Sequence, residues 1–211
     1  MFSFIAQVND KVSSKRAILI DLTIFPTRRV YYVIPVAKIS IIDEYTHMNN
    51  PDIKEINVRN AVMADVSFIK ECLIDSWVEH AKNNPDLMTE ERMRRSKVDE
   101  YYANFIQKNK GYVFIADVNG TQVGLITAYK QKLADFFKDS DILYVDDVYV
   151  LKEYRRKGIA QLLLNKIESV ARENMIKRID ARVYSYNQPM QNALLTFGFN
   201  QPYSTWVKIV E

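Results

Sequence analysis

Arg155-Arg156-Lys157-Gly158-Ile159-Ala160 sets three cations and a glycine at the point where a helix should begin, and the reading of that stretch decides the fold. Upstream, Ile142-Leu143-Tyr144-Val145-Asp146-Asp147-Val148-Tyr149-Val150 is a β-branched and aromatic run of strand character. Downstream, Ile159, Leu162, Leu163, Ile167 and Val170 recur at helical spacing, with Gln161, Asn165, Glu168 and Arg172 on the other side. Cations at a helix N-terminus oppose the positive end of its macrodipole. The cluster makes sense around an anion that also takes the unpaired N–H groups of the first turn. Gly158 removes a side chain where the backbone would approach that anion. The expected ligand is a phosphorylated cofactor. The unit is not a P-loop, because G-x-x-x-x-G-K-[ST] is absent, nor a dinucleotide fingerprint, because G-x-G-x-x-G is absent.

The longer stretch Val150-Leu151-Lys152-Glu153-Tyr154-Arg155-Arg156-Lys157-Gly158-Ile159-Ala160 resembles the V-x-x-x-[YF]-[RQ]-x-x-G-x-[GA] signature of GNAT-family acetyltransferases. Asn187, followed by Gly198-Phe199, is similar to the family's N-x(10)-G-F segment. Asn119-Gly120-Thr121-Gln122-Val123-Gly124-Leu125-Ile126 reads as a hairpin turn and a strand with the family's V-G-x-[IL] pattern. Together the three blocks cover residues 56–211. The resemblance implies a mixed α/β fold with a central, mostly antiparallel sheet flanked by helices. It implies acetyl-coenzyme A as co-substrate, with Arg155, Arg156, Lys157, Gly158, Ile159 and Ala160 around its pyrophosphate. The backbone of Val148, Tyr149 and Val150 matches the family's pantetheine-pairing positions. Asn187 reads equally as a cofactor contact and as an ordinary helix N-cap.

Composition sets the outer bounds. The 211 residues suit one domain with an appendage, and 48% hydrophobic with 26% charged residues is ordinary for a soluble globule. A formal net charge of +3 does not argue for nucleic acid. The lone Cys72 excludes an intramolecular disulfide and favours a reducing cytoplasm. Its apolar neighbours Phe68, Ile69, Leu73 and Ile74 make it read as a buried, non-catalytic thiol. No apolar run reaches the ~20 residues of a membrane-spanning helix, and the start of the chain lacks the pattern of a secretory signal. Two isolated histidines, His47 and His80, and one cysteine make no metal site.

A seam falls near residue 50. Residues 1–47 hold two strand-like runs, 17–25 and 30–42, which Pro26 and Pro35 confine to edge or irregular pairing, and no chemical motif. They read as an appendage, 48–54 as a linker, and 55–211 as the acetyltransferase-like domain. Within it the pattern predicts strand 55–60, helices 65–82 and 88–108, strands 111–118 and 121–130, a polar loop 131–141 and strand 142–150. Helix 158–173, strand 177–185, helix 188–197 and a final strand 203–210 follow. Asp65 and Thr89 are the expected helix N-caps, and Gly198 is placed to end the last helix.

The chemistry should sit at Asp146 and Asp147. Two carboxylates inside an apolar strand are costly unless paired, solvated by a cleft or functional. Successive strand residues face opposite ways, so both reach one site only through a bulge. Tyr144 to Val150 particularly resembles diamine acetyltransferases, which carry Glu-Asp where this chain has Asp-Asp. The resemblance puts Asp146 in the place of the general base. Amine acetylation needs a neutral nitrogen, so a base must take a proton from an ammonium. Asp147 reads instead as an ion-pairing or backbone-capping group. Many family members have a tyrosine seven residues after the asparagine, as general acid for the departing thiolate. This chain has Leu194 there, with Tyr184, Tyr186 and Tyr203 as substitutes. The helical stretch carrying Trp77, His80, Tyr101 and Tyr102 would lie over the acceptor cleft, its aromatics reading mainly as core.

The expected activity is transfer of an acetyl group from acetyl-coenzyme A to a primary amine, a small amine or polyamine. A protein N-terminal or lysine acetyltransferase is the alternative. Leu194 also leaves room for a non-catalytic acetyl-coenzyme A-binding regulatory module. The expected partner is a small-molecule amine, with no nucleic acid and no membrane, and a homodimer is left open.

Overall fold

The computed structural model describes residues 17–25, 28–35 and 56–210, and the chain divides into two units, Met1–Asn50 and Pro51–Glu211. In the first, β1 (Ala17–Phe25) and β2 (Arg28–Pro35) pair antiparallel, Ala17 opposite Pro35. The part of the expected second run beyond residue 35, and the linker, lie outside the described residues.

In the second unit a five-stranded sheet runs in the order β3-β4-β5-β6-β7. Its strands are β3 (Ile56–Asn60), β4 (Tyr112–Val118), β5 (Thr121–Lys132), β6 (Asp141–Val150) and β7 (Ile179–Ala181). The first four pair antiparallel and β7 runs parallel to β6. The hairpin between β4 and β5 turns at Asn119 and Gly120, with φ of 49° and 80°, as a two-residue turn requires. The central strands read as near-continuous apolar runs because both faces are covered. On one face α1 (Val66–Asn83) and α3 (Val98–Gln107) bury Ile69, Leu73, Tyr102 and Phe105 against Ile115 and Leu125. On the other, α4 (Ile159–Glu173) and α5 (Gln188–Thr196) bury Leu163, Ile167 and Leu194 against Phe114, Ile126 and Leu143. No helix among the described residues is long and apolar enough to cross a membrane.

Three expectations need correction. The helix expected over 88–108 is broken into α2 (Glu90–Arg94) and α3. Ser96 Oγ donates to the Met93 carbonyl, an alternative partner that competes with the helical ladder. The burial phase then restarts at Val98, Tyr102 and Phe105, whereas α2 buries nothing. The strand expected over 177–185 shrinks to β7, three residues long. The final strand over 203–210 does not form, and its apolar residues stand exposed, Trp206 at 92%. Strand propensity is expressed only against a partner edge, and β7 offers three residues of one.

Asp65 does more than begin a helix. Its carboxylate takes both terminal nitrogens of Arg59, at 2.8 and 2.9 Å, and the Val62 N–H at 2.7 Å, with Gln122 donating as well. Arg59 also reaches Asp117 at 2.7 Å. One buried carboxylate thus ties β3, the β4–β5 hairpin and the entry to α1 together. Arg59 holds that carboxyl below the usual range, so the clamp stabilises above that range and is lost as pH falls through it. Breaking a buried pair from one side costs roughly 3–5 kcal/mol. Asp65→Ala is therefore expected to lower urea-unfolding stability by about that much, with a smaller deficit in acid.

Candidate active site

β6 carries the site. Its register against β5 pairs Thr127 with Asp147 and Ala128 with Val145, which leaves Asp146 as the extra residue of a bulge. A bulge interrupts the strict alternation of side chains. Asp146 and Asp147 therefore both line one cleft of about 400 Å3, together with Trp77, His80, Tyr144 and Arg182.

The two carboxylates differ in how they are held. Asp147 is locked: Trp77 Nε1–H donates to Oδ1 and Tyr102 OH to Oδ2, each at 3.1 Å, while its own N–H donates to Thr127 Oγ1 at 3.1 Å. Burial pushes its carboxyl up to about 6 and the neighbouring Asp146 adds to the rise, against the pull of Trp77 and Tyr102. Asp146 is open to the cleft. The surrounding walls still raise its carboxyl above the ordinary value, and the Arg182 charge works the other way.

β6 and β7 stay paired only from Leu143–Ile179 to Val145–Ala181. Beyond that point the chain after β7 leaves, and residues 146–150 have no partner strand on that side. Val148 lines the cleft, Tyr149 packs against the α1 side and Val150 against the α4 side. The basic turn follows directly. Gly158, with φ of 77°, is the N-cap of α4, and Arg156 also adopts a left-handed φ of 62°. Apart from the adjoining backbone, no protein atom lies within 4 Å of where a Cβ on Gly158 would stand. Within the protein, then, the backbone conformation is what demands glycine there.

The first bond of α4 runs from Leu162 N–H to Gly158 C=O at 3.1 Å. The N–H groups of Ile159, Ala160 and Gln161 precede it and have no partner within the helix. Of the three cations, Arg155 is tied back through Nε to the Val150 carbonyl at 2.9 Å, and Lys157 lies 5.0 Å from the Tyr154 ring centroid. Arg156 is exposed.

Asn187 caps α5, its Oδ1 accepting from Met190 N–H at 3.2 Å, and also lines the cleft. Gly198, at φ of 92°, closes that helix. Phe199 N–H bonds Leu194 C=O at 3.0 Å and Gly198 N–H bonds Leu195 C=O at 3.1 Å. Leu194 is buried in the core. Thr89 precedes α2 without a side-chain cap bond. Cys72 is 2% exposed and burial pushes its thiol up to about 12, so it stays a thiol. Among the described residues no group of His, Cys, Asp and Glu could hold a metal ion.

The sequence reads Trp77 and His80 mainly as core, whereas the structure places both in the lining of the cleft. His80 Nδ1 shares a hydrogen bond with Tyr186 OH, and its ring lies 4.5 Å from that of Tyr184. The one hint in the sequence is that Ser76, Trp77 and His80 fall within about a turn of one helix.

A sequence model of the Acetyltransferase (GNAT) family matches residues 75–199. Solved structures share the fold. The tetramutant of the BH1408 protein from Bacillus halodurans is 17% identical with a TM-score of 0.64, over 73% of this chain and 99% of that one. A predicted acetyltransferase from Clostridium acetobutylicum, solved with acetyl-CoA, is 18% identical with a TM-score of 0.55, over 74% and 96%. The aminoglycoside N-acetyltransferase AAC(6')-Iy, in complex with CoA, is 14% identical with a TM-score of 0.59, over 77% and 99%. No curated protein matches the sequence.

The raised Asp147 carboxyl has a consequence for stability. A group whose pKa is higher folded than unfolded stabilises below its unfolded value and loses that contribution as pH rises through the folded one. Asp147→Asn is neutral throughout and keeps the size. Urea unfolding should show the variant gaining on the parent protein from about pH 4 to about 6, with a constant difference above.

Proposed function

Because the chain belongs to the GNAT acetyltransferase family, we propose that this acetyl-CoA-dependent N-acetyltransferase acts on a small primary amine or polyamine, with Asp146 as its base. The observation that supports this reading best is the unpaired edge of β6, which runs from the two cleft carboxylates to the basic turn. The free N–H groups of Ile159, Ala160 and Gln161, with Arg156 and Lys157, suit a pyrophosphate. The open backbone of Val148, Tyr149 and Val150 suits an amide-bearing arm. Arg155 contributes mainly by fixing the turn to the strand. Asn187 sits at the cleft as a cap and a contact.

Acetyl-coenzyme A supplies the acetyl group as a thioester. Asp146 attracts the acceptor's ammonium and takes one proton from it. The freed nitrogen lone pair forms the N–C bond, and the C–S bond breaks with its electrons going to sulfur. A thiol of ordinary pKa, ~8.5, leaves tolerably as thiolate, so the burial of Leu194 is compatible with turnover. The acylated nitrogen sheds its second proton to water, the thiolate takes one up from water, and Asp146 returns its proton to solvent, so one proton is released per turnover. Asp147, with both oxygens bonded, holds the bulge that turns Asp146 into the cleft.

General-base assistance typically contributes about 10²–10⁴-fold. Asp146→Asn should lower turnover by about that factor, with acetyl-coenzyme A affinity unchanged by calorimetry. Normal turnover in Asp146→Asn would remove Asp146 from the mechanism. Gly158→Val, strained at its φ, should weaken acetyl-coenzyme A binding about ten- to a hundredfold, the worth of one charge-assisted hydrogen bond. No binding by the folded parent protein would contradict the reading as a whole.

A further inference from the structure

Most residues that line the cleft are uncharged. Trp77 of α1, Met88 ahead of α2 and Met93 of α2 form one side, and Tyr184 and Met190 the other. Tyr184 OH lies 3.9 Å from Met88 Sδ, so the two sides meet. Methionine and aromatic rings offer adaptable, polarisable surface without a charge. His80 adds none at neutral pH, because burial holds its imidazole below the ordinary value.

The charged residues of the lining are Asp146, Asp147 and Arg182. Two carboxylates against one guanidinium leave a single net negative charge, the complement of one ammonium. Nearby acids are already engaged. Glu90 and Glu91 pair with Arg94 and Arg95, and Asp180 pairs with Arg178. Glu79 is exposed and does not line the cleft.

We propose that the acceptor is a primary monoamine on an apolar or aromatic body, its ammonium drawn to Asp146 and its body packed among Trp77, Met88, Met93 and Met190. This rests on acetyl transfer in the cleft and decides between the small amine and the polyamine. The second ammonium of a diamine would lose water against methionines and meet Arg182, with only Asp147, whose oxygens are already bonded to Trp77 and Tyr102, left to receive it. Each methylene buried there strengthens binding by about fourfold in equilibrium constant, and the discrimination comes from the second ammonium.

The test compares monoamines with di- and polyamines on the full chain, hexylamine and 1,6-diaminohexane being the length-matched pair, by thiol release at saturating acetyl-coenzyme A. Hexylamine and 2-phenylethylamine should exceed 1,6-diaminohexane and spermidine in kcat/KM by at least tenfold. Met88→Glu adds a carboxylate to the cleft lining and should shift the diamine-to-monoamine ratio tenfold or more toward the diamine. Met88→Gln, polar but uncharged, should not shift it, and Met93→Glu provides an independent second position. A parent protein that takes diamine or spermidine as well as hexylamine, or a ratio unmoved by both glutamates, overturns the proposal while leaving amine acetylation intact. Turnover with a peptide but with none of these amines overturns the proposed function and this inference together.

Discussion

The bulge in β6 opposite Thr127 and Ala128 is the constraint on which the rest of the site depends. A regular strand would send Asp146 and Asp147 to opposite faces, one of them into the apolar core. The extra residue brings both to one cleft, and the Asp147 lock holds them there. Trp77 comes from α1, Tyr102 from α3 and Thr127 from β5, so three elements converge on one residue, two on its carboxylate and one on its backbone N–H. The bonds from Trp77 and Tyr102 offset part of the desolvation that raises the carboxyl's pKa. The helices over this face therefore do more than cover the sheet, because they fix where the neighbouring carboxylate stands.

The second constraint is the shortness of β7. Its three residues hold β6 only as far as Val145, and the two chains then part. The unpaired edge spans the five residues from Asp146 to Val150, about 13 Å over four steps at the usual strand rise. One strand thus carries the carboxylate in its middle and leads at its end into the basic turn. The tie from Arg155 to the Val150 carbonyl sets the angle between strand and turn. Left-handed φ at both Arg156 and Gly158 then redirects the chain into α4.

Much of this was legible in the sequence. Strand, turn and helix around Gly158 follow from a β-branched and aromatic run and from helical spacing after it, and Gly198 closes its helix as its position suggests. The bulge was legible only as a condition, since neither glycine nor proline marks it and it exists solely in the pairing with β5. The lock was not legible at all, because Trp77 meets Asp147 across seventy residues and His80 meets Tyr186 across more than a hundred. Two misreadings share a cause. The apolar run at 203–210 has strand propensity without a partner edge, and the run at 88–108 has helical spacing interrupted by one serine with a better local partner. Asp65, expected to cap a helix, spends its oxygens on Arg59, Gln122 and the Val62 N–H.

The central claim is that the bulge delivers two unequal carboxylates to one shielded cleft. Carbon-13 titration of the Asp146 and Asp147 side-chain carboxyls in the folded protein measures this directly. Both should titrate above the ordinary aspartate value, with Asp147 near 6 and each responding to the other's ionisation. Two independent titrations at the ordinary value of ~3.9 would mean that both groups stand in open water, and would contradict the account.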